Sequence, residues 1–441
     1  MGILPHQDVQ DYWSTDEVMQ APFFPSIMSR SRFLLIFRFF HLSDNDTYRP
    51  RGHPEYNPLH KLGTIYETLV EKFKTTWYPG QQICIDEGMV PFRGNIHFRT
   101  YNQNKPDKYG LKAYQLCDSQ NGYCCQFQVR GKGKEPSAKG MTHDIVSQLV
   151  EPYLQKGHTL YCDNYYTSPQ LFLDLSDGGM NACGTMRDRK EIPREFKDAK
   201  LKTPGEKLCM ANDPLLGMKY RDRRDVKMLS TAHSAKMAST NGNNHRGELI
   251  MKPECIHEYN QYMGAVDSSD QMVAYLCFRR RTVKWWKKAF FHMMSLAIVN
   301  AHLLQKEYMT ARNKKPLEHK EFRKEVVKEI IKTSGYNKPG NGRSGRVSAN
   351  ASNLLRLSGG GQHYLEKNPT TEAGKTKART CQVCFPAERK YLEGRGKSVP
   401  KRPGRETCYQ CEKVSWCVTP CMKLYHTDEL YMEAWIRLVH G

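Results

Sequence analysis

The chain has 441 residues, with 67 lysines and arginines against 46 aspartates and glutamates, and a formal net charge of +21. Such a length predicts about three domains, and such a charge indicates an anionic partner. No apolar run reaches the ~18 residues that a membrane-spanning helix needs, and no charged-then-apolar leader indicates secretion. We therefore expect a nuclear protein whose partner is nucleic acid rather than a membrane.

The first predicted part of the chain is helical and covers residues 1–80. Asp16 is placed to cap a helix. Apolar side chains then recur at helical spacing in two stretches, which are Phe33, Ile36, Phe37 and Phe40, followed by Ile65, Leu69 and Phe73. We expect this part to serve dimerisation or DNA binding.

Residues 81–189 change to an alternation of strands and helices, which predicts an α/β layout with a mixed sheet. Asn121-Gly122 joins two strand-like runs and is a strong hairpin signal. The predicted elements are strands at Gln82–Ile85, Gly110–Asp118 and Tyr123–Arg130, a helix at Thr142–Leu154, a strand at Thr159–Cys162 and a helix at Ser168–Leu175.

The next stretch, residues 190–253, is rich in lysine, arginine, asparagine and glycine and has weak periodicity. We interpret it as an insertion, within which Asp225–Leu229 is consistent with a strand. A helix is predicted to begin at Asp267, and a longer one to run from Lys284 to about Tyr308. The composition of residues 336–378 predicts a linker.

Four aspartates carry the strongest chemical signal. Asp86 and Asp163 each end an apolar run, and Asp267 and Asp270 are three residues apart, which places them on one face of a helix. Carboxylates on rigid elements are what two Mg²⁺ ions ~3.5–4 Å apart require. Taken singly, Asp267 could be a helix cap and Asp163 an Asx turn. A charge that ends an apolar strand, such as Asp86, is costly unless it is paired or metal-bound.

A series of motifs surrounds these aspartates. In chain order they are Ile85-Asp86-Glu87, Phe92-Arg93-Gly94, Asn104-Lys105-Pro106, Lys108-Tyr109-Gly110-Leu111-Lys112, Cys162-Asp163-Asn164-Tyr165-Tyr166-Thr167-Ser168, Gly184-Thr185-Met186-Arg187, Ile192-Pro193, Tyr259-Asn260, Met263-Gly264-Ala265-Val266-Asp267, Asp270-Gln271, Lys284-Trp285-Trp286 and Asn300. The series resembles the piggyBac transposase family over nearly the whole chain. Ala265 is one departure, because the family more often has glycine there.

The resemblance implies an α/β fold with an RNase H-like catalytic core of the DDE type. It implies that Asp86, Asp163 and Asp267 bind Mg²⁺ or Mn²⁺, and that Asp270 is an assisting catalytic carboxylate. The implied activity is cut-and-paste DNA transposition at TTAA-type sites by a homodimer that binds double-stranded transposon ends and target DNA. The alternatives are a domesticated, transposase-derived DNA-binding protein without cleavage activity, and a chromatin adaptor that works through its zinc domain.

The resemblance also implies a division of the chain. The parts are the helical N-terminal segment (1–80), the catalytic core (81–189 and 254–276), the insertion (190–253), a helical DNA-binding part (277–335), the linker (336–378) and a cysteine-rich zinc domain (379–430).

Basic and aromatic side chains predict where DNA would lie, since cations contact phosphates and an aromatic ring can stack on an unpaired base. Burial against the core is the better interpretation for one of the two adjacent tryptophans. The predicted DNA-binding residues are Lys105, Lys108, Lys112, Arg279, Arg280, Arg281, Lys284, Trp285, Lys287 and Lys288.

The cysteines are unevenly spread, since nine of the 15 scatter before residue 300 and six lie between Cys381 and Cys421. Cys-x₂-Cys pairs fix thiolates within the ~2.3 Å reach of zinc, and a tetrahedral site needs four ligands. The predicted zinc ligands are Cys381, Cys384, Cys408, Cys411, Cys417, Cys421 and His426. Either Asp428 or His440 completes a second site, or one zinc binds well. The family likeness implies that this module recognises transposon ends or another protein, and the basic stretch Lys397–Arg405 favours DNA.

Overall fold

The computed structural model describes most of the chain in two compact units. The described residues are 1–103, 105, 107–130, 136–243, 247, 249–276, 278, 282–334, 366–367, 370, 379–381, 383–399, 406–407, 409–411, 414–415, 421 and 430–440. One unit comprises Met1–Val9 and His41–Gly335, and the other comprises Gln10–Phe40 and Tyr336–Gly441. The finer division drawn from the sequence stays a prediction.

The first unit is built on a mixed sheet. Its strands are β1 (Gln82–Pro91), β2 (Thr100–Tyr101), β3 (Tyr109–Asp118), β4 (Cys124–Val129), β5 (Thr159–Cys162), β6 (Asn181–Thr185), β7 (Lys207–Asn212), β8 (Leu215–Arg221) and β9 (Asp225–Ser230). The spatial order is β2-β3-β1-β5-β6-β9-β8-β7, with β4 also paired to β3. The neighbours β1, β5 and β6 are parallel to one another, whereas β3 is antiparallel to both β1 and β4. A separate ribbon pairs β10 (Met237–Asn243) with β11 (Leu249–Pro253).

Helices of this unit pack against the sheet or, in the case of α10, against α9. They are α3 (Thr64–Thr76), α4 (Met141–Val150), α5 (Pro169–Asp177), α6 (Arg194–Asp198), α7 (Glu254–Tyr262), α8 (Ala265–Tyr275), α9 (Trp285–Thr310) and α10 (His319–Thr333). The two helices that precede them in the chain, α1 (Phe23–Ile27) and α2 (Arg30–Phe39), belong to the other unit. Ser168 caps α5 by accepting a hydrogen bond from the Leu171 N–H, and Pro169 occupies the first helical position. A buried amide anchors α9 to β4, because Asn300 accepts from the Cys124 N–H at 3.0 Å and donates to its carbonyl at 2.9 Å.

Most of the predicted elements around the aspartates are present. Thr159–Cys162 has the predicted bounds, and the hairpin strands differ by a residue or so at their ends. The strand predicted at Gln82–Ile85 is longer, since β1 runs on to Pro91, so Asp86 lies inside a strand and not at its end. Asp16 does not cap a helix, because its carboxylate instead accepts from the N–H groups of Val18 and Met19 in a turn.

The predicted insertion contains more structure than its composition indicated. Three of its strands, β7, β8 and β9, continue the main sheet beyond β6 through antiparallel pairing. The lysine and arginine side chains that weaken the alternation, such as Lys219 and Lys227, extend along sheet faces and form ion pairs with Asp225 and Asp188. Only Asp225–Leu229 was expected as a strand here, and β9 confirms it.

The second unit also contains α11 (Cys384–Gly394) and α12 (Tyr431–His440), together with five short strands. These are β12 (Glu366–Lys367), β13 (Arg379–Thr380), β14 (Glu406–Thr407), β15 (Tyr409–Cys411) and β16 (Val414–Ser415). A small core gathers three cysteines with Val383, Ala387 and Trp435. None of the helices in the described parts of the chain is long and apolar enough to span a membrane.

Candidate active site

Asp86 and Asp163 lie side by side because β1 and β5 are parallel neighbours. Ile85 of β1 is opposite Cys162 of β5. Asp86 follows Ile85 and Asp163 follows Cys162, so the two aspartates lie at the same level of the sheet. The Asp163 carboxylate also accepts a hydrogen bond from the Tyr165 N–H at 2.9 Å. Asp163 therefore makes the Asx turn that was its simpler interpretation, and this turn fixes its carboxylate next to Asp86.

These two carboxylates are in surroundings that disfavour negative charge. The pKa of Asp86 is raised to about 7, mainly by burial and in smaller part by the Asp163 and Glu87 carboxylates, while the Glu87 N–H and Lys105 act in the opposite direction. Burial is also the main cause that raises the pKa of Asp163. Neighbouring buried carboxylates with raised pKa values are typical of sites that bind a cation or exchange protons.

Helix α8 carries the other two aspartates to the same region. Asp267 lies in its first turn, and Asp270 follows one turn later. Burial raises the pKa of Asp270 to about 6, and Gln115 of β3 donates from Nε2 to Asp270 Oδ1 at 2.9 Å. Gly88 of β1 makes this close approach possible, since a Cβ there would lie 2.1 Å from Gln115 Nε2 and 3.2 Å from both oxygens of Asp270.

Gln115 and Gly88 are site residues that sequence reasoning missed. Gln115 is opposite Asp86 in the register of β1 and β3 and has 0% of its surface exposed. A glutamine inside an otherwise apolar strand was the available signal, because buried polar side chains need partners and seldom occur without a reason. Gly88 had a weaker signal, as a glycine inside a strand often marks close approach of another group.

Lys105 places a positive charge among the aspartates. Its ammonium is 3.2 Å from Asp267 Oδ1. Burial alone would lower the pKa of Lys105, but the negative charges of Asp86, Asp267 and Asp270 outweigh burial and raise it. The residue was predicted to bind DNA, and the structure places its ammonium within the carboxylate cluster, so that in this conformation it acts as a counter-ion to the site.

The aspartates have the donor type and the charge that divalent cations need, although their oxygens do not all surround one position. Among the described residues no three of these carboxylates have oxygens all within 4.8 Å of one another. Two ions ~3.5–4 Å apart distribute their ligands more widely than one ion does. Burial is the main cause of the raised pKa values of Asp86 and Asp270, and a bound cation would offset the cost of charging buried carboxylates. Hard oxygen donors are those that Mg²⁺ and Mn²⁺ prefer. The residues present therefore fit a pair of divalent cations.

Lys112 occupies a different place from the one expected of a DNA-binding residue. Only 7% of its surface is exposed, and its ammonium is 2.7 Å from Glu87 Oε2 and 4.2 Å from the centre of the Tyr165 ring. Asn102 donates to the other oxygen of Glu87 at 3.1 Å. Lys112 thus belongs to a buried ion pair that neutralises Glu87 beside the aspartates, and its contact with DNA stays a prediction.

The basic residues at the start of α9 also divide into buried and accessible ones. Lys284 is exposed, whereas Lys287 is 3% exposed with its ammonium 5.4 Å from the centre of the Trp286 ring. Lys287 is therefore buried in this structure, and its contact with DNA stays a prediction. Trp286 is the buried member of the tryptophan pair, and Trp285 is half-buried with its ring 5.2 Å from that of Phe98.

Of the remaining predicted DNA-binding residues, Lys108 is exposed and Lys288 is half-buried beside the aspartates of α8. Arg279, Arg280 and Arg281 lie outside the described residues. Contact of any of these side chains with DNA stays a prediction.

A second polar cluster has the composition of a hydrolase triad but not its accessibility. Ser230 Oγ is 2.7 Å from His233 Nδ1, and His233 Nε2 is 3.0 Å from Glu258 Oε2, which also accepts from the Tyr161 hydroxyl at 2.6 Å. Ser230 has 0% of its surface exposed. This network joins β9, β5 and α7, and its serine is closed to any substrate.

Three of the predicted zinc ligands meet in the second unit. Cys381, Cys384 and Cys421 are buried, and their sulfur atoms all lie within 4.8 Å of one another. Hydrogen bonds among the three thiols lower the pKa of Cys381 and raise that of Cys421, so the contacts favour one thiolate, the form that zinc binds, at Cys381. Three buried thiols this close together have the donor type and spacing of three of the four ligands that a tetrahedral zinc site needs.

The other candidate ligands of this unit are less defined. His440, which was one candidate for completing a second site, is 2.7 Å from Glu388 and stacked on Tyr391 with ring centres 3.9 Å apart. Its imidazole is therefore engaged away from the three cysteines. The side chains of Cys408, Cys411, Cys417, His426 and Asp428 lie outside the described residues, and their roles stay predictions.

Comparisons with known proteins agree with the motif series. A family model described as Transposase IS4 (DDE_Tnp_1_7) matches residues 1–302. The human PiggyBac transposable element-derived protein 3 is 24% identical over 95% of this chain and 66% of its own length, and human PiggyBac transposable element-derived protein 5 is 21% identical over 69% of this chain and 60% of its own. This chain thus spans just under two thirds of the length of the first of these relatives, and less of the second.

A solved structure resembles the fold. It is a cryo-EM structure of the piggyBac transposase synaptic complex with hairpin DNA, and it matches with a TM-score of 0.66 and 23% identity over 87% of this chain and 82% of that one. At this level of identity the likeness concerns the fold.

Proposed function

The chain belongs to the Transposase IS4 family, as the match over residues 1–302 shows, and from this premise we propose that it is a DDE-type, piggyBac-like DNA transposase. The observation that carries the proposal is the convergence of carboxylates from distant parts of the chain. Parallel pairing of β1 with β5 sets Asp86 beside Asp163, and α8 lays Asp270 against Gly88 of the same strand.

The strand order supports an RNase H-like core within this fold. Three antiparallel strands in the order β4-β3-β1 continue into the parallel strands β5 and β6. The first carboxylate lies on the central strand β1, and the second directly follows its parallel neighbour β5. The strands of the insertion then extend the sheet at the β6 side without crossing the carboxylate cluster.

The chemistry follows from the placement of the side chains. Divalent cations, when bound, lower the pKa of an attacking water or 3′-hydroxyl and stabilise the leaving oxygen. Asp86, Asp163 and Asp267 would hold them, and Gln115 keeps Asp270 aimed at the same cluster through its 2.9 Å hydrogen bond. Lys105 contributes a cation beside Asp267 that can contact a substrate phosphate once the metal ions neutralise the carboxylates.

The proposed substrates are double-stranded transposon ends and TTAA-type target sites, and the proposed assembly is a homodimer in the nucleus. The net charge of +21 supports DNA as the partner. The solved relative is described as a synaptic complex with DNA, which supports an assembly on paired ends.

The second unit is proposed to bind zinc through Cys381, Cys384 and Cys421, with a fourth ligand from the predicted set. The small core around these thiols buries Trp435 and few other apolar side chains. A core of this size gains much of its stability from a metal. In the proposed protein this unit recognises the ends of the element.

The alternative is a domesticated DNA-binding protein that keeps the fold and has lost cleavage. The names of the human relatives, which describe them as derived from a transposable element, favour keeping this alternative. Both functions need the same basic surfaces, so DNA binding alone does not separate them.

Cleavage of a supercoiled plasmid that carries the DNA flanking the coding sequence separates the two functions. We expect Mg²⁺-dependent nicking by the wild-type protein, loss of nicking with Asp163→Asn, and retention with Asp177→Asn, an exposed aspartate at the end of α5. Binding without nicking by the wild-type protein would favour the domesticated alternative. Equal nicking by Asp163→Asn would contradict the assignment of the site.

A further inference from the structure

The two faces of β1 carry different polar groups at the level of the candidate site. Successive residues of a strand point to opposite faces of the sheet, so Asp86 and Gly88 share one face and Glu87 lies on the other. Helix α8 covers the first face, since Asp270 lies against Gly88. On the second face, Glu87 Oε2 is 2.7 Å from the Lys112 ammonium. A largely buried ion pair therefore lies behind the strand that carries Asp86.

Lys112 also reaches the turn that holds Asp163. Its ammonium is 4.2 Å from the centre of the Tyr165 ring, a distance at which a cation is attracted to the face of an aromatic ring. The N–H of the same Tyr165 donates to the Asp163 carboxylate at 2.9 Å. One ammonium thus connects the residue that follows Asp86 with the residue that orients Asp163.

The other oxygen of Glu87 holds the loop between β2 and β3. Asn102 donates from Nδ2 to Glu87 Oε1 at 3.1 Å, and the Asn102 N–H donates to the Lys108 carbonyl at 2.8 Å. The same loop carries Lys105, whose ammonium is 3.2 Å from Asp267 Oδ1. Both oxygens of Glu87 are therefore engaged by segments that lead to the carboxylate cluster.

The energetics of such a pair favour a role in geometry over a role in stability. Desolvation of two buried charges offsets most of the attraction between them, and replacement of both by neutral side chains is often nearly neutral. Separation of the two charges is costly, so the pair holds the segments that carry them at a fixed distance. Groups that orient metal ligands typically change metal affinity about 10–100-fold when they are removed.

We propose that Glu87 and Lys112 are a positioning pair, which keeps Asp86 and Asp163 at the separation that two divalent cations require. Glu87 acts on Asp86 through the backbone of β1, and Lys112 acts on the Asp163 turn through the ring of Tyr165. The pair works from the face of the sheet opposite to α8. The inference rests on the proposed function, since it names the residues that hold the same carboxylates in place.

The test removes both charges at once, so that the net charge near the aspartates does not change. In the double variant Glu87→Gln/Lys112→Met, the affinity for Mn²⁺ is measured by electron paramagnetic resonance on the full-length protein with a DNA duplex present. The melting temperature is measured in a chelating buffer. We expect roughly 10-fold weaker Mn²⁺ binding than in the wild type and a melting temperature close to that of the wild type.

An ion pair elsewhere in the first unit provides the matched control. Lys252 of β11 and Asp222 in the turn between β8 and β9 are 2.8 Å apart. Lys252→Met/Asp222→Asn removes this pair, again without a change of net charge, and should leave the Mn²⁺ affinity at the wild-type value.

The contact with the aromatic ring is tested separately. Tyr165→Leu removes the face on which the Lys112 ammonium lies and should weaken Mn²⁺ binding as the double variant does. Tyr165→Phe keeps the ring and should retain the wild-type affinity. If the double variant does not fold, the two Tyr165 variants decide the question.

The opposite results overturn the inference. Wild-type Mn²⁺ affinity in the double variant or in Tyr165→Leu would mean that the pair does not position the carboxylates, while about two ions bound to the wild type would leave the proposed function intact. Equal weakening by Lys252→Met/Asp222→Asn would mean that the loss of any ion pair disturbs the site. If the wild-type protein binds no Mn²⁺, the proposed function fails first and the inference falls with it.

Discussion

At the scale of single residues, the least typical feature is a carboxylate inside a central strand. Asp86 follows the buried residues Ile83, Cys84 and Ile85 of β1, and burial is the main cause that raises its pKa to about 7. Lys112 neutralises Glu87, the neighbour of Asp86. The cation near Asp86 itself is Lys105, which also interacts with Asp267 and Asp270 of α8. Unfavourable burial of charge at a cluster of this kind indicates function rather than stability.

This burial predicts a pH dependence of stability in metal-free protein. Asp86 has a pKa of about 7 in the folded protein and near 3.8 in the unfolded chain, so the folded protein binds a proton there more tightly. The stability that this proton contributes is complete below pH 3.8 and is lost as the pH rises to about 7. Asp86→Asn has no carboxyl proton at this position, so the variant does not lose this stability as the pH rises. We expect the variant to be more stable than wild type at pH 8 by roughly 1–4 kcal/mol, with the difference vanishing near pH 4.

Denaturant titrations in a chelating buffer measure this difference. Asp177→Asn, at an exposed position of α5, is the control and should follow the wild type at both pH values. A variant at position 86 that is less stable at pH 8 would mean that the carboxylate contributes net stabilising contacts.

Lys105 gives a second prediction at this scale. Lys105→Gln removes the ammonium 3.2 Å from Asp267 and leaves the carboxylates to repel one another. We expect a lower melting temperature in the absence of metal and a larger upward shift on adding Mg²⁺ than in the wild type, because the ions then replace the lost cation. Lys108→Gln makes the same charge change at an exposed position of the same loop and should leave both values near wild type. Equal Mg²⁺ shifts in all three proteins would exclude the counter-ion role.

At the scale of elements, the contact between α8 and β1 depends on the glycine at position 88, which has no side chain. Gly88→Ala would place a Cβ 2.1 Å from Gln115 Nε2 and 3.2 Å from the Asp270 carboxylate. The Gln115 amide, which holds Asp270 by a hydrogen bond, must shift, so we expect Mg²⁺-dependent nicking to fall roughly 10²-fold with the fold retained. Gly217→Ala on β8, where the nearest atom is 3.4 Å away, is the matched control. Unchanged nicking by Gly88→Ala would show that the position of Asp270 is not critical.

Elements were predictable from sequence where the core imposed a simple pattern. β5 is four buried residues and was located with its bounds, because a strand covered on both faces is a short continuous apolar run. The second half of β1 was missed since Asp86, Glu87 and Gly88 interrupt the apolar pattern for reasons of the site. The strands of the insertion were mostly missed because polar residues interrupt their apolar pattern: β7 is an edge strand, where such residues are tolerated, and the interior strand β8 contains the buried Lys219.

The site was predictable in its residues and not in its geometry. Recognisable motifs located the four aspartates, whereas Gln115 and Gly88 follow from strand register, which the sequence does not state. Charge alone also did not predict that Lys112 and Lys287 are buried, since a lysine in a basic stretch can extend into the interior to reach an acid or an aromatic ring.

At the scale of the whole molecule, the two units depend on different interactions. The first has an extensive apolar core, whereas the core of the second is a small cluster around Cys381, Cys384 and Cys421. We expect a zinc chelator or Cys384→Ser to make the second unit sensitive to limited proteolysis and to leave the first unit resistant. Cys209→Ser, at a half-buried cysteine of β7, is the control. A digestion pattern unaffected by the chelator would contradict zinc binding.

Metal binding by the aspartate cluster is the claim on which the account depends, and Mn²⁺ binding measured by electron paramagnetic resonance tests it most directly. With a DNA duplex present, we predict about two Mn²⁺ ions per wild-type chain and the loss of at least one with Asp163→Ala, whose carboxylate lies beside Asp86. The same Mn²⁺ stoichiometry and affinity in the wild type and in Asp163→Ala would contradict the account.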